Sequence, residues 1–328
     1  MAKKIYKHLK KFLPLIGIAI LLYLIYNLGI ENIKNAFLSI HPIYIIIALS
    51  LTLPRILIRN YSWQLLQKEQ KIKISYWKSL KIFLIGFFYC SITPAFLGHL
   101  MRVPYMKEET KQPYGKLFTN VMLEVILRSF TLYSMITIGF IFFIEKSAEM
   151  SNLFWIWVTV LAITAIILFY FVKKERGEKL FNALIKYLIP KNLKKDMQSF
   201  ADTFYHDFPR IRTLIIPIIL GAITWIIAFT QEYIVVIALG LDIPYFYFLL
   251  LFPLANVVGF IPITFAGIGT REAAAIFIFT TLFAVEPAEI FVVSLMGFII
   301  TDIFTGLIGF IVTVFEEMKN KPSKLAKS

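Results

Sequence analysis

The chain alternates long apolar runs with short polar ones, and the lengths of the runs predict its elements. A helix needs about 20 residues to cross the roughly 30 Å hydrocarbon core of a bilayer. Six runs come near or above that length: Phe12 to Leu28, Ile43 to Ser62, Leu117 to Ile144, Leu153 to Val172, Leu214 to Leu239 and Ile290 to Val314. They predict six full spans. Two further stretches are interrupted. Ile82 to Ser91 is too short to cross, ends at Thr93-Pro94, and continues through Gly98 and Arg102 to a polar segment at Lys107. Tyr245 to Phe260 enters a second break, and Ala273 to Ala284 leaves it. These two predict re-entrant helical hairpins, Ile82 to Met106 and Tyr245 to Ala284. The connection GIENIKNAFLSIHP between the first two spans reads as a loop, and Gln67 to Lys81 as a polar and basic link.

The breaks have a physical reason. Within Ile261 to Ala275, IPITFAGIGTREAAA, Pro262 cannot donate a backbone hydrogen bond, and Gly267 and Gly269 destabilise a helix interior. Arg271 and Glu272 are expensive at membrane depth unless they face protein or water. Non-helical backbone is tolerated there only where it is buried in protein or lines a wet cavity. Ser91 to Arg102, SITPAFLGHLMR, is the matching oddity in the first half.

Taken in order, the elements form an inverted repeat. Repeat one (12–144) runs span, span, hairpin, span, and repeat two (153–315) repeats that order with opposite orientation. Between the fourth span and the fifth lies 173–212, read as cytoplasmic amphipathic helices on the membrane surface. Inverted repeats whose broken helices meet near the midplane are a recurring transporter plan. The expected fold is therefore all-α and polytopic, with eight apolar segments in a single membrane domain.

Composition agrees. Of 328 residues, 59% are hydrophobic and 16% charged, with mean hydropathy +0.75, against about 25% charged in soluble domains. The net charge of +14 would suggest nucleic acid on a soluble protein. Here the basic residues flank apolar spans, so anionic lipid headgroups at the cytoplasmic face are the expected partner, and no nucleic acid is. Lys34 and Lys146 alone fall in the segments assigned outside. The other lysines and arginines outside the apolar segments fall in those assigned to the cytoplasm, as the positive-inside rule requires. That balance holds only if the hairpins are re-entrant, since a crossing at the first would carry Lys107, Lys111 and Lys116 outside. The basic N-terminal residues precede an apolar core too long for a signal peptide and lacking a cleavage site, so it reads as an uncleaved first span. Both termini are expected in the cytoplasm and the chain in the cytoplasmic membrane.

The chemistry concentrates in residues that an apolar segment should not contain. Arg102 and Arg271, with the N-terminal half-helix ends after each break, form a candidate receptor for a phosphate near the midplane. Gly98, His99, Gly267, Gly269 and Thr270 lie in the turns beside it. Glu272 can hold Arg271 when no substrate is present. Arg55 and Arg59, one turn apart, can line an entry path for headgroups, although Arg59 can also snorkel to the interface. Arg128 can pair with Glu124 four residues before it. Asp302, mid-span, needs a partner, and Arg128 or Arg271 would serve; Glu232 reads as interfacial. The histidines have no metal-ligand spacing, and Cys90 is the sole cysteine. There is no G-x-x-x-x-G-K-[ST] and no catalytic triad or paired-carboxylate arrangement on a polar segment. No enzyme activity, cofactor or metal is expected.

The motifs ITPAFLGHLMR (Ile92 to Arg102) and IPITFAGIGTREAA (Ile261 to Ala274), with RNYSW (Arg59 to Trp63) and LRSF (Leu127 to Phe130), carry a resemblance. The chain resembles the flippase-like membrane family that includes the membrane half of lysylphosphatidylglycerol synthases. The family usually has Gly-Glu in the first motif and Glu-Arg in the last; here the residues are Gly98-His99 and Leu127-Arg128. The resemblance implies binding or movement of a phospholipid or a polyprenyl-phosphate-linked sugar. The chain ends shortly after its last span, so the aminoacyl-transferring domain of those synthases, and their product, are not expected. The expected function is a lipid flippase-like transporter. The alternatives are a non-transporting membrane subunit that binds lipid or a partner lipid-modifying enzyme, and an intramembrane lipid-modifying transferase.

Overall fold

The computed structural model describes residues 17–93, 97–143, 148–172, 209–260, 264 and 267–325. The surface helices expected in 173–212 lie almost entirely outside the described residues, as do the hairpin tips at 94–96, 261–263 and 265–266. Every described element is helical. In chain order they are α1 (Gly17–Leu28), α2 (Ile30–Ser39), α3 (Pro42–Ser50), α4 (Thr52–Glu69), α5 (Tyr76–Ile92), a 3-10 turn (Leu97–Met101), α6 (Arg102–Thr110) and α7 (Tyr114–Phe143). Then follow α8 (Ala148–Val172), α9 (Ile215–Ala238), α10 (Tyr245–Gly259), α11 (Thr270–Phe283), α12 (Pro287–Phe298), a π-helical turn (Ile299–Ile303) and α13 (Phe304–Leu325).

Four helical stretches are long and apolar enough to cross a membrane: Pro42–Glu69, Tyr114–Phe142, Arg212–Ala238 and Pro287–Glu316. They coincide with four of the six expected spans. The first expected span differs. After α1 the chain bends by 87° into α2, so the pair counts as one broken span and the total is at most five among the described residues. Gly29, at φ 79, makes the bend. The connection read as a loop is thus largely the helix α2. Its inward positions Ile33, Ala36 and Ile40 recur at helical spacing and pack on the core, while Glu31 and Lys34 pair on the exposed side. The polar residues marked one outer face of a helix, not a loop. In α8 the apolar stretch is shorter, Ser151–Ile163.

Both interrupted stretches reverse direction. In the first, α5 starts at Tyr76, earlier than the Ile82 expected, and the chain returns along it. Gly98 packs against the backbone of Tyr89 and Cys90, and Arg102 lies across Gly86. At the base, Lys78 Nζ meets Glu109 Oε2 at 2.6 Å, so the hairpin ends where it began. In the second, Gly267 (φ 77) lies against Gly259, and the rings of Phe248 and Phe252 pack on Phe279. Tyr247 and Phe283 close its base.

The two halves interlock, with α13 lying along α5 and α9 along α4. The larger apolar core gathers Phe229, Phe248, Phe252 and Phe279, and a smaller one surrounds Trp63, Phe83 and Leu117. Large apolar side chains also cover the outside, among them Leu22, Trp77, Trp155 and Phe315, while Arg55, Arg59, Asn60, Gln67 and Arg102 are buried. This inverts the soluble pattern, in which charged residues are rarely fully buried, and suits a bundle whose outer solvent is lipid.

Candidate arginine site in the bundle interior

α4 turns Arg55 and Arg59 inward, and neither snorkels; each is 6% exposed. Arg59 Nε donates to Glu124 Oε1 at 3.0 Å, and Arg102 Nη1 donates to Glu124 Oε2 at 3.0 Å. One carboxylate on α7 therefore serves two guanidiniums from two other elements. The expected pairing of Glu124 with Arg128 does not form. Both its oxygens are taken, and the guanidinium of Arg128 instead lies over the ring of Trp225, 4.2 Å from its centroid. Trp225 Nε1 in turn donates to the Arg128 carbonyl at 3.0 Å.

Arg102 is fully enclosed, with Trp63 and Phe83 rings 4.9 and 4.6 Å from its guanidinium carbon. Its Nη2 faces His99 Nδ1 at 2.7 Å. A guanidinium only donates, so this imidazole nitrogen accepts. Histidine at this motif position thus remains a direct partner of the arginine. Arg55 is held differently, by neutral oxygens. Its Nη2 donates to the Thr301 carbonyl at 2.6 Å and to Thr305 Oγ1 at 3.0 Å, at the π-helical turn. Such turns displace carbonyls from the regular ladder.

Positive charge is in excess here. Arg55 Nε, Arg59 Nη2 and Arg102 Nε are closed to solvent and have no hydrogen-bond partner among the described residues. Three small cavities, each of about 10 Å³, meet at Arg59 and Arg128. Arg55 and Thr305 border one, His99 and Trp225 the second, and Ser62 and Glu124 the third. That volume is about what one water needs.

The second motif forms a separate network. Arg271 Nη2 bonds Glu272 Oε1, and Arg271 Nε donates to Ser294 Oγ at 3.1 Å. Glu272 Oε2 accepts the N–H of Gly269 at 2.6 Å, which caps α11. Thr270 Oγ1 lies 3.2 Å from both the Gly267 carbonyl and Thr264 Oγ1. Glu272 thus holds Arg271, as the sequence suggested, but no hydrogen bond, ion pair or ring contact joins Arg271 to Arg102. The structure gathers Arg59, Arg102, Arg128 and His99 around Glu124, joins Arg55 to Arg59 and Arg128 through a shared cavity, and keeps Arg271, Glu272, Gly267, Gly269 and Thr270 in the second hairpin. Gly98 belongs to the packing of the first. Two groups were misread from the sequence. Glu124 is the hub rather than the partner of Arg128. Glu232 is buried at 4% exposure, not interfacial. Asp302 accepts from Thr301 Oγ1 at 2.8 Å and makes no ion pair with Arg128 or Arg271.

An apolar exterior around a buried cluster of arginines defines a polytopic helical membrane protein with a cationic interior. Residues 12–309 match the model of the family described as the lysylphosphatidylglycerol synthase TM region, and the chain belongs to that family. It is similar to UPF0104 membrane proteins over most of their lengths. With the one from Methanocaldococcus jannaschii it is 20% identical, over 91% of this chain and 92% of that protein. With the one from Pyrococcus horikoshii it is 23% identical, over 92% and 95%.

Proposed function

We propose that the chain binds the phosphate of an anionic lipid, a phospholipid or a polyprenyl-phosphate-linked sugar, at the arginine cluster and moves it across the cytoplasmic membrane. One observation carries this reading: four guanidiniums, Arg55, Arg59, Arg102 and Arg128, cluster inside an apolar-clad bundle, and the one carboxylate that pairs with any of them among the described residues, Glu124, meets only Arg59 and Arg102. Buried unpaired charge costs several kcal/mol per ion even after relaxation. Intramembrane ionisable residues accordingly mark substrate paths. A phosphate satisfies forked guanidinium donors two at a time. The acyl or prenyl chains would stay in the lipid.

The cavities hold water-sized volumes, so a headgroup enters only when α4, α7 and α9 part. We take this arrangement as the occluded one. The topology that goes with it has cytoplasmic termini, two oppositely oriented repeats, and hairpins that enter from opposite faces. Arg271 and Glu272 then belong to the second repeat's gate rather than to the first contact with phosphate.

Arg128 gives the cleanest test, because it makes no ion pair among the described residues. Proteoliposomes carrying the wild-type chain should translocate a fluorescent anionic phospholipid or a polyprenyl phosphate, and Arg128→Ala should lose that activity while still folding. Native mass spectrometry should show the same lipid retained by wild type and lost from the variant. Wild-type protein that retains only bulk lipid and moves none would reject transport and leave the reading of a non-transporting subunit.

A further inference from the structure

Glu232 is a buried charge that neither arginine network pairs. It sits on α9 beside Gln231, whose amide reaches across to the Ala48 carbonyl and Thr52 Oγ1. Its Oε2 is closed to solvent, and the carboxyl forms no hydrogen bond or ion pair among the described residues. The packing is built to admit it. A Cβ at Gly297, on the facing α12, would lie 2.5 Å from Glu232 Cγ and 3.0 Å from Cδ. The carboxyl therefore lies in a notch that only glycine leaves open.

Its charged neighbours are all otherwise engaged. Arg271, Asp302, Arg55 and Glu272 act on it electrostatically. On α11, Arg271 and Glu272 pair with each other. On the π-helical turn, Asp302 accepts from Thr301. On α4, Arg55 bonds the neutral oxygens of Thr301 and Thr305. A bare carboxylate in such a place is too expensive to persist, and it takes either a proton or a cation. Among the described residues, Arg55 is the one neighbouring cation with no carboxylate in ion-pair contact.

We infer that Glu232 is a proton-binding site, and that it exchanges its proton against Arg55. In one state the carboxyl carries a proton, taken from hydronium with release of water, and Arg55 stays on the π-helical turn. In the other the carboxylate has returned its proton to water and Arg55 turns to neutralise it. Arg55 also borders the arginine cavities. An anion that engages Arg55 there removes it from Glu232, so anion and proton bind together. This coupling rests on the function proposed above; the proton site itself does not.

The test therefore needs no lipid substrate. Dicyclohexylcarbodiimide adds to protonated carboxyls in apolar surroundings. The full chain, purified in detergent, would be treated with it from mildly acidic to mildly alkaline pH and mapped by peptide mass spectrometry. Glu232 should carry one carbodiimide, with yield falling as pH rises, and Glu232→Gln should lose that adduct. Infrared spectra of wild type should show a protonated carboxyl band that Glu232→Gln lacks. Absence of the adduct and of the band at every pH overturns the inference, as does protection of Glu232 by sodium at constant pH, which would assign the site to a metal cation. Labelling of Glu232 together with failure of lipid transport would keep the proton site and reject the transport reading.

Discussion

A side chain at position 86 would occupy the space that Arg102 fills: a Cβ there would overlap Arg102 Cγ and approach its Nε to 2.6 Å. The two residues come from opposite arms of the first hairpin, so the glycine on α5 sets how closely the returning chain can lie. Arg102 cannot swing aside freely, because Glu124 and His99 hold its far end. Gly86→Ala should therefore destabilise the protein by about 1–3 kcal/mol, the usual range for overpacking. A lower thermal unfolding midpoint in detergent for Gly86→Ala than for wild type measures it. An unchanged midpoint for Gly86→Ala would mean that the arms are free to separate.

Glu124 carries a different kind of load. Replacing it by Gln leaves Arg59 and Arg102 buried without their shared anion. Breaking a buried pair typically costs roughly 3–5 kcal/mol, and here two pairs share one acceptor. We expect Glu124→Gln to unfold far more readily in a detergent or urea titration than Arg128→Ala. Glu124→Gln and Arg102→Gln together should be less damaging than the sum of the two, because the double variant removes both charges of one pair.

The second hairpin depends on Gly269, at φ 89. A Cβ there would lie 2.5 Å from the Gly17 carbonyl oxygen on α1 and 3.1 Å from the Leu21 nitrogen. Gly269→Ala combines a left-handed backbone with a clash against another helix. Positive φ at a non-glycine residue alone costs about 1–3 kcal/mol. The variant should lower the unfolding midpoint and expose α1 to proteolysis. Protection of α1 equal to that of wild type would count against its packing on this turn.

Topology is open to a chemical test because Cys90 is the only cysteine. In a Cys90→Ser background, single cysteines at the exposed positions Asn32, Lys73 and Glu108 report three segments. A membrane-impermeant maleimide added to intact cells should label position 32, and should reach positions 73 and 108 only after lysis. Labelling of 108 from outside would turn the first hairpin into a full crossing and undo the positive-inside balance.

The membrane class, the four long spans and both chain reversals were legible in the sequence. Run length against bilayer thickness decides a span, and a proline or paired glycines in an apolar run decides a break; both are local properties. Arg55, Arg59, Arg102, Arg128 and Arg271 also stood out at once, because a charged residue in an apolar segment is conspicuous without any neighbour. Which charge meets which was decided only by tertiary structure. Glu124 and Arg128 lie at pairing distance on one helix, yet Glu124 takes Arg59 and Arg102, and Arg128 takes Trp225. Arg102 and Arg271, symmetric in the motifs, end in separate networks. Glu232 seemed interfacial by position and became buried because Gly297 on another helix makes room for it. A guanidinium reaches several ångströms beyond its backbone, and its partner is set by which helices pack together. Packing depends on complementary surfaces far apart along the chain, and a periodic pattern of apolar residues does not record them.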